Sequence, residues 1–454
     1  MPFSDLDNHN IEKLLKEKHY DLLLSKLSAL EPADAADIFE TLEADSLKIL
    51  FSKLDNETAS EILSEIEDGE LEDVVDAISD DDLSEIIDEM PLDEATDIIG
   101  ELEDDEKEEV LESFNDEKRA EIEGLLLYDE DSAGGLMTPE FCAMNSNFTV
   151  QQAITKLTAS EFSDPISMIF IVDGKEKLIG SIWVSNLLAK PKSLRLHQVM
   201  EENPICSLVD EDQEDIAYKF RKYDLYAMPV VDKKNILVGR ITVDDVMDVI
   251  YEEADENMAH MAGAPDIEKH EESPFAIVRL RLPWILITMV AGLLISVIVE
   301  KISGLKNADS LAAFVPVIMA MGGNTGMQSS AVTIRRLALS GDEYDMIFKV
   351  FMRELFVGIM MGLVCGLCSA LIVYTTLNIC NAETANSYYA LAGIVGFSMW
   401  VAMSFAATAG AVCPIILNKF KIDPAVASGP FITTGNDLAA SLIYFMLCYI
   451  LLTM

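Results

Sequence analysis

Ser428-Gly429-Pro430-Phe431-Ile432-Thr433-Thr434-Gly435-Asn436-Asp437 sets a carboxylate inside the last apolar segment of a 454-residue chain. That segment starts near Pro424 and runs to the C-terminus. At about 1.5 Å per helical residue, Asp437 is expected roughly 20 Å along it, near mid-bilayer. An ionised acid at that depth costs at least about 2–3 kcal/mol unless it faces an ion, water or a basic partner. The nearest bases, Lys419 and Lys421, both precede the segment. The residue therefore favours an ion pathway over an internal ion pair.

Working outward, five apolar spans are expected at 282–303, 309–339, 346–378, 388–418 and 424–453. Their lengths predict tilt or breaks. Arg279 and Arg281 precede the first span, Arg335 and Arg336 follow the second, and Lys419 and Lys421 follow the fourth, which predicts an intracellular N-terminus. Lys301 and Lys306 run against that pattern. A second unusual stretch, Gly322-Gly323-Asn324-Thr325-Gly326, lies in the second span. Its small residues allow irregular backbone, which a membrane tolerates only where it is buried or lines water; tight helix packing is the alternative. Cys365 and Cys368 form a C-x-x-C in an apolar helix without further ligands, so packing explains them better than a metal.

The charge is divided. Up to Ser273 the chain holds 70 acids against 22 bases, and beyond it nine acids against ten bases. The acidic part should repel nucleic acid and attract cations. Met1-Pro2-Phe3-Ser4-Asp5 lacks both a basic start and an apolar core, so this part is expected to stay unexported. It also repeats itself. Glu31-Pro32-Ala33-Asp34-Ala35-Ala36-Asp37-Ile38 is echoed at Asp55–Ile62 and Ser79–Ile86, a 24-residue period, with shorter echoes from Pro91 and Glu103. A 12-residue half-period suits one short helix and a turn, which predicts a solenoid of acidic helices. The texture then changes. Ile166–Asp173 and Ala227–Asp232 read as strands, each followed by a second strand and a helix. Leu136-Met137-Thr138-Pro139 and Val199-Met200-Glu201-Glu202-Asn203-Pro204 resemble the openings of tandem CBS domains, regulatory modules that often sense adenine nucleotides or cations.

The whole order resembles the MgtE magnesium channel/transporter family. Gly322–Gly326 and Asp423-Pro424-Ala425 carry the signature, along with the acidic repeats and the paired CBS openings. The resemblance implies a multidomain fold: an α-helical repeat N domain at 1–133, α/β CBS domains at 134–198 and 199–253, a connecting helix at 254–274, and a five-helix transmembrane domain at 275–454. It implies a homodimer in a bilayer, with no nucleic-acid partner and no enzymatic activity, whose pore lies between the two membrane domains. Asp437 matches the pore acid that holds a largely hydrated Mg²⁺, with Asn436 beside it, Thr433 on the pore wall and Asp423 at the cytoplasmic mouth. Gly429 stands where the family has Asn.

The resemblance further assigns Mg²⁺ sensing to Glu61, Asp93 and Asp97 in the repeats, and to Asp212, Glu214, Asp224, Asp245, Asp248, Glu253 and Glu256 in the second CBS domain and its exit. Gly134 and Arg221 stand where backbone oxygens contribute, and Asn257 stands where an acid is expected. ATP is the other candidate ligand of the CBS pair. The implied gate is electrostatic: Mg²⁺ bridges the acids and holds the pore shut, and its loss lets bare carboxylates repel. Two other readings are transport of another divalent ion such as Mn²⁺ or Co²⁺, and a non-conducting membrane-anchored sensor. Asp437 argues against the sensor, because an anchor needs no mid-membrane acid.

Overall fold

The computed structural model describes residues 11, 14, 15, 19–66, 68–102, 104–159, 166–262, 274–302, 312–340, 344–379, 388–420, 422, 424 and 429–453. The chain divides into two compact units, Met1–Ile250 and Tyr251–Met454.

In the first unit the repeat is visible as geometry. Short helices α1 (Tyr20–Leu27), α2 (Pro32–Phe39), α3 (Ala44–Phe51), α4 (Asn56–Leu63), α5 (Asp68–Ala77), α6 (Asp80–Asp88), α7 (Leu92–Glu101), α8 (Asp104–Ser113) and α9 (Asp116–Leu125) begin 12 residues apart throughout. The starts are written in the sequence. Asp55 accepts from the Thr58 N–H at 3.0 Å, Ser79 caps α6, and Pro32 occupies the first turn of α2. α1 packs on α3, α2 on α4, α3 on α5, α4 on α6, α6 on α8 and α7 on α9. Packing to the next but one explains why the sequence echoes most strongly at 24 residues. One continuous core results, with Phe39, Leu50, Ile62, Ile87, Ile99 and Ile122 buried. Few bases serve it. The Lys118 ammonium donates to the Ile87 and Asp88 carbonyls at 3.0 and 2.6 Å, closing the C-terminal end of α6.

The CBS pair follows: β1 (Ala143–Asn145), α10 (Val150–Leu157), β2 (Met168–Val172), β3 (Leu178–Trp183), α11 (Val184–Leu188), β4 (Glu201–Glu202), β5 (Ser207–Leu208), α12 (Gln213–Tyr223), β6 (Ala227–Val231), β7 (Leu237–Thr242) and α13 (Val243–Ala262). The sheets are ordered β1-β2-β3-β4 and β5-β6-β7, with the first pair of each parallel and the rest antiparallel. The two openings are exchanged between the sheets. β4, from the second opening, pairs with β3 at Ser181 and Gly180, and Thr138, from the first, bridges to Arg240 on β7. Each opening methionine lies over a glycine of the other sheet: a Cβ on Gly180 would stand 2.5 Å from the Met200 sulfur, and one on Gly239 2.6 Å from that of Met137. The expected boundaries at 133/134 and 198/199 thus cut through segments that serve the opposite sheet. The boundary at 253/254 also falls inside an element, because α13 runs unbroken from Val243 to Ala262. Residues 263–273, the rest of the expected connecting helix, lie outside the described residues.

The second unit holds five long helices among its described residues: α14 (Pro274–Ile302), α15 (Val315–Ser340), α16 (Tyr344–Ile379), α17 (Tyr388–Lys419) and α18 (Pro430–Thr453). Four of them are long and apolar enough to cross a membrane, over Ile277–Glu300, Phe348–Ile379, Tyr388–Lys419 and Pro430–Leu451. The fifth, α15, is diluted by its glycines, hydroxyls and Arg335–Arg336. α17 is the centre, packing on α16, α15 and α18, and α18 packs also on α15 and α14. Small residues make this close approach: a Cβ on Gly366 would stand 2.5 Å from the Gly396 carbonyl.

Candidate functional site

The helix that carries Asp437 starts later than the sequence suggests. Pro430 is the first residue of α18, a position where its missing N–H costs nothing. Asp437 therefore lies about 10 Å into the helix and about 7 Å short of its midpoint, instead of roughly 20 Å along a segment from Pro424. It remains within the apolar stretch Pro430–Leu451. Asp423 lies outside the described residues.

The glycine stretch also differs from expectation. α15 runs as an unbroken helix through Gly322–Gly326. Its glycines serve contact. A Cβ on Gly323 would stand 2.5 Å from Asp437 Oδ1 and 2.9 Å from Thr433 Cγ2. A Cβ on Gly322 would stand 2.7 Å from that of Ala440. Gly326 is enclosed from two sides: a Cβ there would enter the Asn436 amide, and one on Gly410 would enter the Gly326 backbone. The three glycines share nearly one helix face, so α18 is drawn onto α15 along that face. The acid and the glycines, far apart in sequence, form one seam. Asn436 is buried in it and Asp437 half-buried.

The seam leaves polar atoms without partners. Among the described residues, Asp437 Oδ1 and Thr433 Oγ1 are buried and make no hydrogen bond. Buried polar oxygens are nearly always satisfied, so two of them one turn apart on one helix face, the carboxylate set against the Gly323 backbone, mark a place for a ligand or water. Thr434, the next residue, faces the other way. Its hydroxyl lies 3.4 Å from that of Thr288 on α14. The sequence singles out Gly323 and Gly326 within Gly322–Gly326 but not the Asp437 and Asn436 side chains that they meet. The four-residue spacing from Thr433 to Asp437 was visible, whereas the partner helix was not.

The expected sensor residues occupy different local settings. Asp212 caps α12 and accepts from the Glu214 N–H at 2.9 Å, and Glu214 is exposed. Asp224 ends that helix in the left-handed region with φ 51°. The Arg221 guanidinium stands 5.9 Å from the Tyr218 ring centre. Gly134 is buried, its N–H donating to the Val209 carbonyl at 2.9 Å, and a Cβ there would strike the Tyr128 ring. Asp245 accepts from the Thr242 N–H and hydroxyl at 3.0 and 2.6 Å. Asp248 is exposed and Glu253 half-buried; the Glu253 carbonyl accepts from the Asn257 amide at 2.7 Å. Glu256 lies 3.0 Å from His260 Nε2. Glu61 and Asp97 are exposed and Asp93 half-buried. Among the described residues no group of three or more His, Cys, Asp or Glu side chains converges as a metal cage.

Three family descriptions match the chain: the MgtE intracellular N domain over residues 30–131, the CBS domain over 196–252, and MgtE, a divalent cation transporter, over 315–447. The magnesium transporter MgtE of Enterococcus faecalis is 34% identical over 327 residues, covering 72% of this chain and 70% of that protein. The magnesium transporter MgtE of Thermus thermophilus is 35% identical over 338 residues, with 73% of each covered. Among solved structures, the cytosolic domain of the Mg²⁺ channel MgtE in complex with ATP matches with a TM-score of 0.50 at 30% identity, covering 52% of this chain and 98% of that one.

Proposed function

We propose that this chain, which belongs to the MgtE family of magnesium transporters, carries Mg²⁺ across a membrane along the α15–α18 seam, with Asp437 as the ion-binding acid. The relatives named magnesium transporters support transport of this ion, and the apolar helices support a multi-pass protein. One observation carries the placement: among the described residues, Asp437 Oδ1 against the Gly323 backbone and Thr433 Oγ1 one turn back are both buried without a hydrogen-bond partner.

The chemistry suits the ion. Mg²⁺ is small, prefers octahedral oxygen ligands and gives up its water reluctantly. A pathway for it needs oxygens spaced for a hydrated ion and a charge to offset desolvation. Asp437 provides the charge, and the Thr433 hydroxyl accepts from the hydration shell. We further propose that two chains pair so that two Asp437 carboxylates face one axis, where their mutual repulsion disfavours the unloaded site. Asp423 would hold ions at the inner mouth, and Asn436 fixes the α15 contact beside the acid.

The acidic unit is the proposed sensor. Glu61, Asp93, Asp97, Gly134, Asp212, Glu214, Arg221, Asp224, Asp245, Asp248, Glu253 and Glu256 are the candidate contacts, and the CBS pair is the candidate site for ATP. Hydrated Mg²⁺ between these carboxylates lowers their repulsion and favours the shut state; depletion favours the open one. The N-terminus is assigned to the cytoplasm of a cell membrane on the arginine and lysine pattern. The test is Mg²⁺ uptake into proteoliposomes of the full chain, with and without millimolar Mg²⁺ on the sensor side. Uptake should occur and be suppressed by sensor-side Mg²⁺. Uptake of Mn²⁺ or Co²⁺ in preference to Mg²⁺ would reassign the cargo, and no cation uptake would leave only the membrane-anchored sensor.

A further inference from the structure

Hydroxyls in apolar helices ordinarily satisfy themselves on the carbonyl one turn back. This unit follows the rule at Thr325, Thr333, Thr375 and Thr408, which donate to the Met321, Ser329, Leu371 and Ser404 carbonyls at 2.6–3.0 Å. Among its described residues, four buried side-chain oxygens have no partner: Ser330 Oγ, Thr433 Oγ1, Asp437 Oδ1 and Ser441 Oγ. Ser330 stands on α15, about 10 Å along the helix from Gly323. The other three stand on α18 at intervals of four residues. That spacing places them on one face, about 6 Å apart along the axis. Ser441 is fully buried. These three oxygens thus fall in line along one face, with Asp437 at the centre.

We propose that Ser441 supplies a third oxygen of the ion track, accepting hydrogen bonds from the water shell of the Mg²⁺ that Asp437 holds. The inference rests on the assignment of Asp437 to the ion pathway. A hydrated Mg²⁺ carries water oxygens about 2.1 Å from the metal. Hydrogen bonds from those waters reach about 2.7–2.8 Å further, so a protein oxygen addresses the ion through water from between 4 and about 5 Å. Oxygens one helical turn apart can therefore share a single shell. Thr433 with Asp437 defines one position and Asp437 with Ser441 the next, about 6 Å on. The two overlap at the carboxylate, so a hydrated ion passes between them without leaving the charge. Ser441 thus recognises the shell and not the bare metal, which favours an ion that keeps its water.

The test uses the full chain in proteoliposomes, with cobalt(III) hexaammine as an inert mimic of the hydrated ion. Loss of one hydrogen bond to the shell predicts that Ser441→Ala raises the half-saturating Mg²⁺ concentration and weakens hexaammine block alike, each about fivefold. Ser441→Thr should restore both, and Thr375→Val, which removes a hydroxyl satisfied on its own helix, should change neither. Without Mg²⁺, Ser441→Ala should melt at the same temperature as the parent or higher, because it removes an unpartnered buried oxygen. A lower melting point in that state would show an ordinary structural hydroxyl and overturn the proposal. Unchanged half-saturation and block would overturn it too, leaving a buried water only. Asp437→Ala separates the two levels: full flux in that variant removes the pathway itself, whereas lost flux there with an unaltered Ser441→Ala removes only the third oxygen.

Discussion

Gly323→Ala perturbs the seam with the smallest available change. The added Cβ would lie 2.5 Å from Asp437 Oδ1 and 2.9 Å from Thr433 Cγ2. To regain ordinary contact, the carboxylate must recede by about 1 Å and the threonine by about 0.5 Å, the type of overpacking that costs roughly 1–3 kcal/mol. The ion feels the displacement as well. A divalent ion held through water at about 4 Å from the carboxylate gains about 8 kcal/mol at an effective dielectric of 20, and about 6.5 kcal/mol at 5 Å. The difference corresponds to a loss of occupancy of roughly tenfold. Gly393→Ala is the matched control, since no atom lies within 4 Å of a Cβ there. Alanine in a helix should then be neutral or gain up to about 1 kcal/mol. Mg²⁺ flux into proteoliposomes and melting of the purified protein, measured side by side, decide the matter. Gly323→Ala should lose about tenfold in flux at subsaturating Mg²⁺ and melt lower, with Gly393→Ala unaffected. Parent-level flux in Gly323→Ala would refute the reasoning, because the carboxylate would then not depend on that contact.

Removing residues 1–130 should give a protein that conducts at Mg²⁺ concentrations that shut the intact one; closure at the same concentration would reduce the repeats to a spacer. The acidic part should resist trypsin near Lys269 in millimolar Mg²⁺ but not in K⁺ at equal ionic strength, since K⁺ screens over about 8 Å at physiological strength without bridging carboxylates. Equal protection by both ions would count against bridging. Asp55→Ala should cost about 1 kcal/mol of N-domain stability at neutral pH, seen by chemical denaturation. The Thr58 N–H and hydroxyl hold the Asp55 carboxyl below its ordinary value. Its contribution is thus complete above the unfolded pKa of about 4 and is lost as pH falls through the lower folded value. A difference between parent and variant that persists unchanged at pH 2 would contradict the cap.

Much of the fold was legible because it is periodic. The echo at Glu31, Asp55 and Ser79 became helices every 12 residues, since each unit carries an apolar stripe and some open on a cap such as Asp55 or Ser79. The strand runs around Phe170 and Val230 landed where short continuous apolar runs put them. What was hidden is non-local. No pattern in Leu136–Pro139 announces that it pairs with β7 of the other sheet. Gly322–Gly326 read as a break because glycine is permissive, while its use depends on what approaches: here Asn436, Asp437 and Ala440, more than a hundred residues away. Asp437 was identifiable from the cost of a charge in lipid. Its setting at Gly323, and the alignment with Ser441, required the packed helices. Apart from the family resemblance, the proposed sensor acids show in the sequence only as a charge excess, because carboxylates obey no spacing that separates a binding group from a solvated or capping one such as Asp212.

The most direct test of the account is Mg²⁺ flux through Asp437→Ala, Asp437→Asn and Asp437→Glu beside the parent, in proteoliposomes and with folding and oligomeric state checked by size exclusion. The pathway predicts no flux in Asp437→Ala, and more in Asp437→Glu, which keeps the charge, than in Asp437→Asn, which keeps only the shape. Full Mg²⁺ flux through Asp437→Ala would contradict it.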